Sequence, residues 1–127
     1  MDRSRILVVE DEPLAAMEMQ ETLEAAGYDV PEVIASGDAV LPAVLRWKPS
    51  LVIMDIRLAS FTDGVDAAER LRVLSDAPVI FVTAYPGRGS QDRAARTKPF
   101  AYLLKPLAPG LLRKTVEEAL SGKAPVA

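Results

Sequence analysis

The chain has 127 residues, 50% of them hydrophobic and 26% charged, a length at which one compact domain hides roughly two-thirds of the surface its unfolded chain exposes. Fifteen basic against 18 acidic residues leave a net charge of -3, so no global positive field is available to hold nucleic acid or an anionic membrane. With neither Cys nor His, the chain is without disulfides, thiol catalysis, the usual zinc ligand sets, histidine triads or a phosphohistidine relay of its own.

The first apolar run, Ile6 to Val9, stops at Glu10. It is far shorter than a signal-peptide core or a membrane span, which predicts a cytoplasmic protein. It reads as a strand buried on both faces, as do Leu51 to Met54 and Val79 to Val82. Two weaker strands are predicted at Val33 to Ala35 and Ala101 to Leu104.

Helical spacing fills the intervals. Pro13 to Ala26 opens on a first-turn proline, closes on Gly27 and directs Met19, Leu23 and Ala26 inward. Asp38 caps a predicted second helix running to Trp47, with Pro42 in its first turn and Pro49 beyond its end. Asp63 caps a third through Leu74, with Ala67, Leu71 and Leu74 on one face. After Pro86, Gly87 and Gly89, only a short, irregular fourth helix from Gln91 to Arg96 is expected. The surrounding Arg88, Arg93, Arg96 and Lys98, against the single acid Asp92, read as a solvated face. A last helix, Pro109 to Leu120, places Leu112, Val116, Ala119 and Leu120 on one side, with Gly122 just past its end.

Strand alternating with helix five times implies right-handed βαβ units and a parallel sheet between two helical layers. In such sheets ligands bind beyond the carboxyl ends of the strands. Those ends carry Glu10-Asp11-Glu12, Asp55, Thr83 and Lys105-Pro106. Each is ordinary alone; together they form a chemical set. Carboxylates held close raise one another's proton affinity unless a cation neutralises them. Oxygen ligands without His or Cys select Mg2+, or alternatively Mn2+, with waters left to exchange for phosphate oxygens. Beside such an ion Asp55 can attack phosphorus and hold an acyl phosphate. Thr83 can donate to one phosphoryl oxygen and Lys105 can neutralise another, while the small Ala84 leaves the approach open.

The stretches Ile6-Leu-Val-Val-Glu-Asp-Glu-Pro13, Leu51-Val-Ile-Met-Asp-Ile-Arg-Leu58, Asp63-Gly64, Pro78-Val-Ile-Phe-Val-Thr-Ala-Tyr85 and Tyr102-Leu-Leu-Lys-Pro106 resemble the receiver domain of two-component response regulators. The resemblance covers nearly the whole chain. It implies an α/β, flavodoxin-like (βα)5 fold with strand order 2-1-3-4-5, a receiver domain over residues 1–120 and a short tail at 121–127, with no output domain following. It further implies that Asp55 is the phosphoacceptor and that Asp11, Asp55 and the backbone carbonyl of Arg57 ligate Mg2+, with Glu10 acting through a bound water. Thr83 and Lys105 would be the switch and charge partners, Tyr102 the aromatic whose rotamer reports the state, and Lys105-Pro106 a cis bond. The donor would be a histidine kinase or histidine phosphotransfer protein, and the output a surface that binds a downstream protein.

Three departures stand out. Glu10 replaces the commoner Asp, Leu58-Ala59 stands where Met-Pro is frequent, and one extra residue separates Asp55 from Asp63-Gly64. In the family, side chains two positions after the phosphoacceptor and after the switch Thr flank the path of water to phosphorus. Here these are the bulky Arg57 and Tyr85, which implies slow self-dephosphorylation. Two rival readings stay open: a degenerate receiver that docks partners without phosphorylation, and a small Mg2+-dependent phosphatase similar to haloacid dehalogenases. The second lacks its general acid, because Asp11 is followed by Glu12 and Pro13.

Overall fold

The computed structural model describes residues 3–58, 62–84 and 88–122. Five parallel strands, β1 (Ile6–Val9), β2 (Val33–Ile34), β3 (Leu51–Met54), β4 (Val79–Thr83) and β5 (Ala101–Leu104), alternate with five helices, α1 (Pro13–Ala25), α2 (Val40–Trp47), α3 (Gly64–Leu74), α4 (Arg88–Arg96) and α5 (Pro109–Leu120). The sheet runs β2-β1-β3-β4-β5, as the alternation of elements and the resemblance both imply.

Successive side chains on a strand point to opposite faces, and here both faces are covered. Leu7, Val9, Val52, Met54, Val79 and Phe81 meet the inner sides of α2, α3 and α4. Ile6, Val8, Leu51, Ile53, Ile80 and Val82 meet α1 and α5 through Met19, Leu23, Leu112, Val116 and Ala119. This two-sided burial explains why β1, β3 and β4 are unbroken apolar runs rather than alternating ones. Each such side chain contributes roughly 1.5–3 kcal/mol on leaving water.

Several helix ends differ from the sequence reading. The first helix stops at Ala25, leaving Ala26 as a half-buried C-cap, and its N-cap is Glu12, whose carboxylate accepts from the Leu14 and Ala15 N–H groups. Asp38 does not cap the second helix: a 3-10 turn at Gly37–Ala39, capped by the Ser36 hydroxyl, leads into α2, whose own N-cap is Ala39 without a side-chain bond, and the Asp38 carboxylate accepts from the Thr62 hydroxyl. The second strand ends at Ile34, so exposed Ala35 lies outside it. Leu74, expected on the core face of α3, is 50% exposed because the helix ends there and its last turn overhangs the core. The fourth helix is a continuous α-helix of nine residues beginning at Arg88, not a short irregular one. Its amphipathic register, with Ala94 in the core, overrides the weak propensity of Gly89. Ala59, Tyr85 and the tail beyond Gly122 lie outside the described residues.

Main-chain contacts fix the connection from β3 to α3. Gly64 N–H donates to the Ile56 carbonyl at 2.8 Å, and a Cβ on Gly64 would stand 2.0 Å from the Asp55 carbonyl oxygen. A Cβ on Gly37 would likewise stand 2.1 Å from the carbonyl oxygen of Thr62. Glycine is required at both places by proximity to another segment's backbone. Gly64→Ala should therefore destabilise the fold by about 1–3 kcal/mol in urea unfolding. Gly110→Ala, where no atom of the described residues lies within 4 Å, should be neutral or slightly stabilising.

Candidate functional site

The strand register places the polar residues together. Val9 is level with Met54, Met54 with Phe81, and Thr83 with Leu104, so the next residues emerge at one edge of the sheet. Backbone bonds continue the ladder past the strands: Asp55 N–H to the Val9 carbonyl at 2.9 Å, Glu10 N–H to Ile34 at 2.8 Å, and Lys105 N–H to Thr83 at 2.9 Å. The side chains are thus held on the rigid ends of the sheet.

Carboxylate oxygens of Glu10, Asp11 and Asp55 all lie within 4.8 Å of one another. Glu10 and Asp55 are buried and Asp11 is half-buried. Lys105 reaches across from β5, donating to Asp55 Oδ2 at 2.8 Å and to Glu10 Oε1. The second oxygen of each carboxylate accepts a backbone N–H, Arg57 N–H on Asp55 Oδ1 at 3.1 Å and Glu12 N–H on Glu10 Oε2 at 3.1 Å. Burial pushes the Glu10 carboxyl above its ordinary 4.5, helped by the Asp55 charge and opposed by Lys105 and the Glu12 amide. Burial alone would lower the Lys105 ammonium, but its bonds to Asp55 and Glu10 outweigh that and raise it above 10.5. One ammonium does not neutralise three carboxylates. An oxygen-only set with excess negative charge fits a hard dication such as Mg2+, and the cation already lying between Glu10 and Asp55 shows that the pocket favours positive charge.

The structure therefore brings together Glu10, Asp11, Asp55 and Lys105. Thr83 is buried at the adjacent end of β4, and exposed Arg57 is bonded to Asp55 through its amide. Glu12, one of the acidic run, is withdrawn from the cluster to cap α1. The Lys105-Pro106 bond is cis. Tyr102 packs against the α2–α3–α4 side of the core, its ring centroid 6.3 Å from that of Phe81. Its hydroxyl is buried with no hydrogen-bond partner among the described residues, and burial, then the Asp55 charge, raise its pKa above 10.0. The sequence reading missed Arg93: its guanidinium reaches back to Asp63 and Asp66 on α3, a pairing across 30 residues without a local signature. No helix among the described residues is long and apolar enough to cross a membrane.

A parallel sheet in this order, with an acidic cluster and a lysine at its carboxyl edge, defines the class of CheY-like receiver domains of flavodoxin fold. The family model of the response regulator receiver domain matches residues 6–117, and the chain belongs to that family. It is 34% identical over 117 residues to the transcriptional regulatory protein PdtaR of Mycobacterium tuberculosis, covering 92% of this chain and 57% of PdtaR. It is 36% identical over 118 residues to the phyllosphere-induced regulator PhyR of Methylorubrum extorquens, covering 92% of this chain and 43% of PhyR. The chain thus spans about half the length of these curated relatives. Among solved structures, the signal receiver domain of a modulated diguanylate cyclase from Desulfovibrio desulfuricans superposes with a TM-score of 0.89 at 36% identity, covering 94% of this chain and 95% of that one. A CheY-like receiver domain protein from Methanospirillum hungatei gives 0.89 at 26% identity, with the same coverage of both chains.

Two predictions come from these environments. An unpaired buried hydroxyl costs on the order of 1 kcal/mol or more, so Tyr102→Phe should raise the thermal midpoint by a few degrees. A protonated carboxyl no longer attracts a cation or its bound water, and the Glu10 carboxyl is held above its ordinary 4.5. Calorimetric titration with MgCl2 should therefore show affinity present at neutral pH and falling on acidification before pH 4.5 is reached, with Glu10→Gln removing that early component.

Proposed function

We propose that this chain is a phosphorylation-controlled signalling receiver that takes a phosphoryl group onto Asp55 from a phosphohistidine on a histidine kinase or phosphotransfer partner. The observation that carries the reading is the Lys105 ammonium bonded to both Asp55 and Glu10 from the opposite end of the sequence. It can follow charge from the carboxylate to an incoming phosphate without leaving its place.

The residues act by placement and neutralisation, which dominate catalysis of phosphoryl transfer. A carboxylate oxygen of Asp55 bonds phosphorus as the donor's N–P bond breaks, and that bond's electron pair returns to the imidazole. Asp11, Asp55 and the Arg57 carbonyl would hold Mg2+, with Glu10 acting through a water; the ion would supply charge neutralisation to the phosphoryl oxygens. Thr83 donates to one of those oxygens and Lys105 pairs with another. The new charge draws Thr83 inward while Lys105 keeps its place, and Tyr102 fills the space beside Thr83, biasing a surface built from α4, β5 and α5. Moving that equilibrium from mostly off to mostly on takes about 5.5 kcal/mol. A few charge-assisted hydrogen bonds of roughly 1.5–3 kcal/mol each supply it. Arg57 beside the carboxylate narrows the path of water and lengthens the life of the acyl phosphate.

Incubation with acetyl phosphate and Mg2+ should add one phosphoryl group by intact-protein mass spectrometry. Asp55→Asn should add none, and Lys105→Met should slow addition about a hundredfold. Decay of the adduct should be faster in Arg57→Asn. A wild-type protein that takes no phosphoryl group overturns the reading and favours a docking module; steady turnover of a simple phosphomonoester points instead to a phosphatase.

A further inference from the structure

The basic stretch that looks like a solvated face in the sequence contains one residue that is committed. Arg93, on α4, donates from Nη1 to Asp63 Oδ2 at 3.0 Å and from Nη2 to Asp66 Oδ1 at 2.7 Å. The same two carboxylates form the capping box of α3 with their other oxygens. Asp66 N–H donates to Asp63 Oδ1 at 2.9 Å and Asp63 N–H to Asp66 Oδ2 at 3.4 Å. All four carboxylate oxygens are thereby used once, and the guanidinium fork closes the ring, a geometry that lysine cannot supply. Burial would raise the Asp63 carboxyl, but the Asp66 amide and the Arg93 charge outweigh it and hold it below 3.8.

The capping box is joined without slack to the proposed phosphoacceptor. Gly64 follows Asp63 directly, bonds the Ile56 carbonyl and leaves no room for a Cβ against the Asp55 carbonyl. A displacement at Asp55 or Ile56 is therefore transmitted to the first turn of α3, and through the fork to α4. We infer that Arg93 is a positioning residue, clamping α4 to the capping box of α3 so that the backbone around Asp55 is held for phosphoryl binding and α4 in turn senses what Asp55 carries. This rests on the phosphoacceptor reading above and adds to it a second route to α4, separate from the chain that leaves Thr83. The three side chains are partly exposed, 40%, 31% and 40%, so the link is screened by salt.

The test uses beryllofluoride with Mg2+ as a phosphoryl mimic. Its affinity is measured by calorimetry, and amide exchange over residues 88–96 is followed by mass spectrometry. The wild type should bind the mimic with altered exchange in α4. Arg93→Gln should weaken binding about fivefold and speed α4 exchange in the free protein, with little further response to the mimic. Arg93→Lys should recover part of both effects, and the difference between wild type and Arg93→Gln should shrink in high salt. Asp66→Asn, which removes the charge and replaces one of the two accepting oxygens by a donor, should show the same deficit. Arg93→Gln and Asp66→Asn proteins that match the wild type in affinity and in α4 response overturn the clamp alone. A wild type that fails to take up the mimic overturns both the clamp and the phosphoacceptor reading.

Discussion

The structure turns on one ammonium group. Glu10 and Asp55 are carboxylates at the ends of buried strands, and ionised carboxylates there carry a desolvation cost that only a fixed counter-charge offsets. Lys105 provides it from the end of β5, across β4 from Asp55 and across the sheet from Glu10. The five-stranded order meets the same requirement: β1 and β3 are neighbours, so the acids cluster, and β5 lies on the β4 side, from which the lysine reaches them. The two hydrophobic layers make this placement rigid, since every residue of β1 and β3 is buried and close-packed interiors resist displacement.

Around that centre each carboxylate oxygen of Glu10 and Asp55 has an assigned partner. Glu10 divides its oxygens between Lys105 and the Glu12 amide, and Asp55 divides its own between Lys105 and the Arg57 amide. Glutamate at position 10 is consistent with this division, because its longer arm spans from the strand end to both donors. Glu12 in turn caps α1, so the start of that helix and the orientation of Glu10 are set by the same few residues. The acidic run thus splits into a buried counter-ion, a half-buried ligand candidate and a helix cap.

Much of this was legible in the sequence because strong, short-range signals carried it. Unbroken apolar runs rich in Val and Ile marked the central strands, and the residues just beyond them marked the site edge. Asp63 announced the start of α3 and Gly27 the end of α1. What escaped depended on tertiary contact. Asp38 looked like a cap, but Ser36 has the backbone geometry to accept from Ala39, and Asp38 meets Thr62 from a distant loop. Leu74 fitted the apolar stripe of α3 but falls past the end of the core. The length of α4 was underestimated because glycine and proline nearby dominate local propensity, whereas burial of Ala94 decides the matter. Arg93 could not be told from its basic neighbours, since its partners are 27 and 30 residues away.

The two glycine contacts flanking the β3–α3 connection bear on how such proteins diversify. Gly64 fastens its far end to Asp55 and Ile56, while Thr62 is pressed against Gly37 and bonded to Asp38. With these contacts in place, a substitution that leaves Gly37, Thr62 and Gly64 alone does not move the Asp55 carboxylate from where the sheet has put it, and such proteins can change what lies at that rim without disturbing the sheet edge.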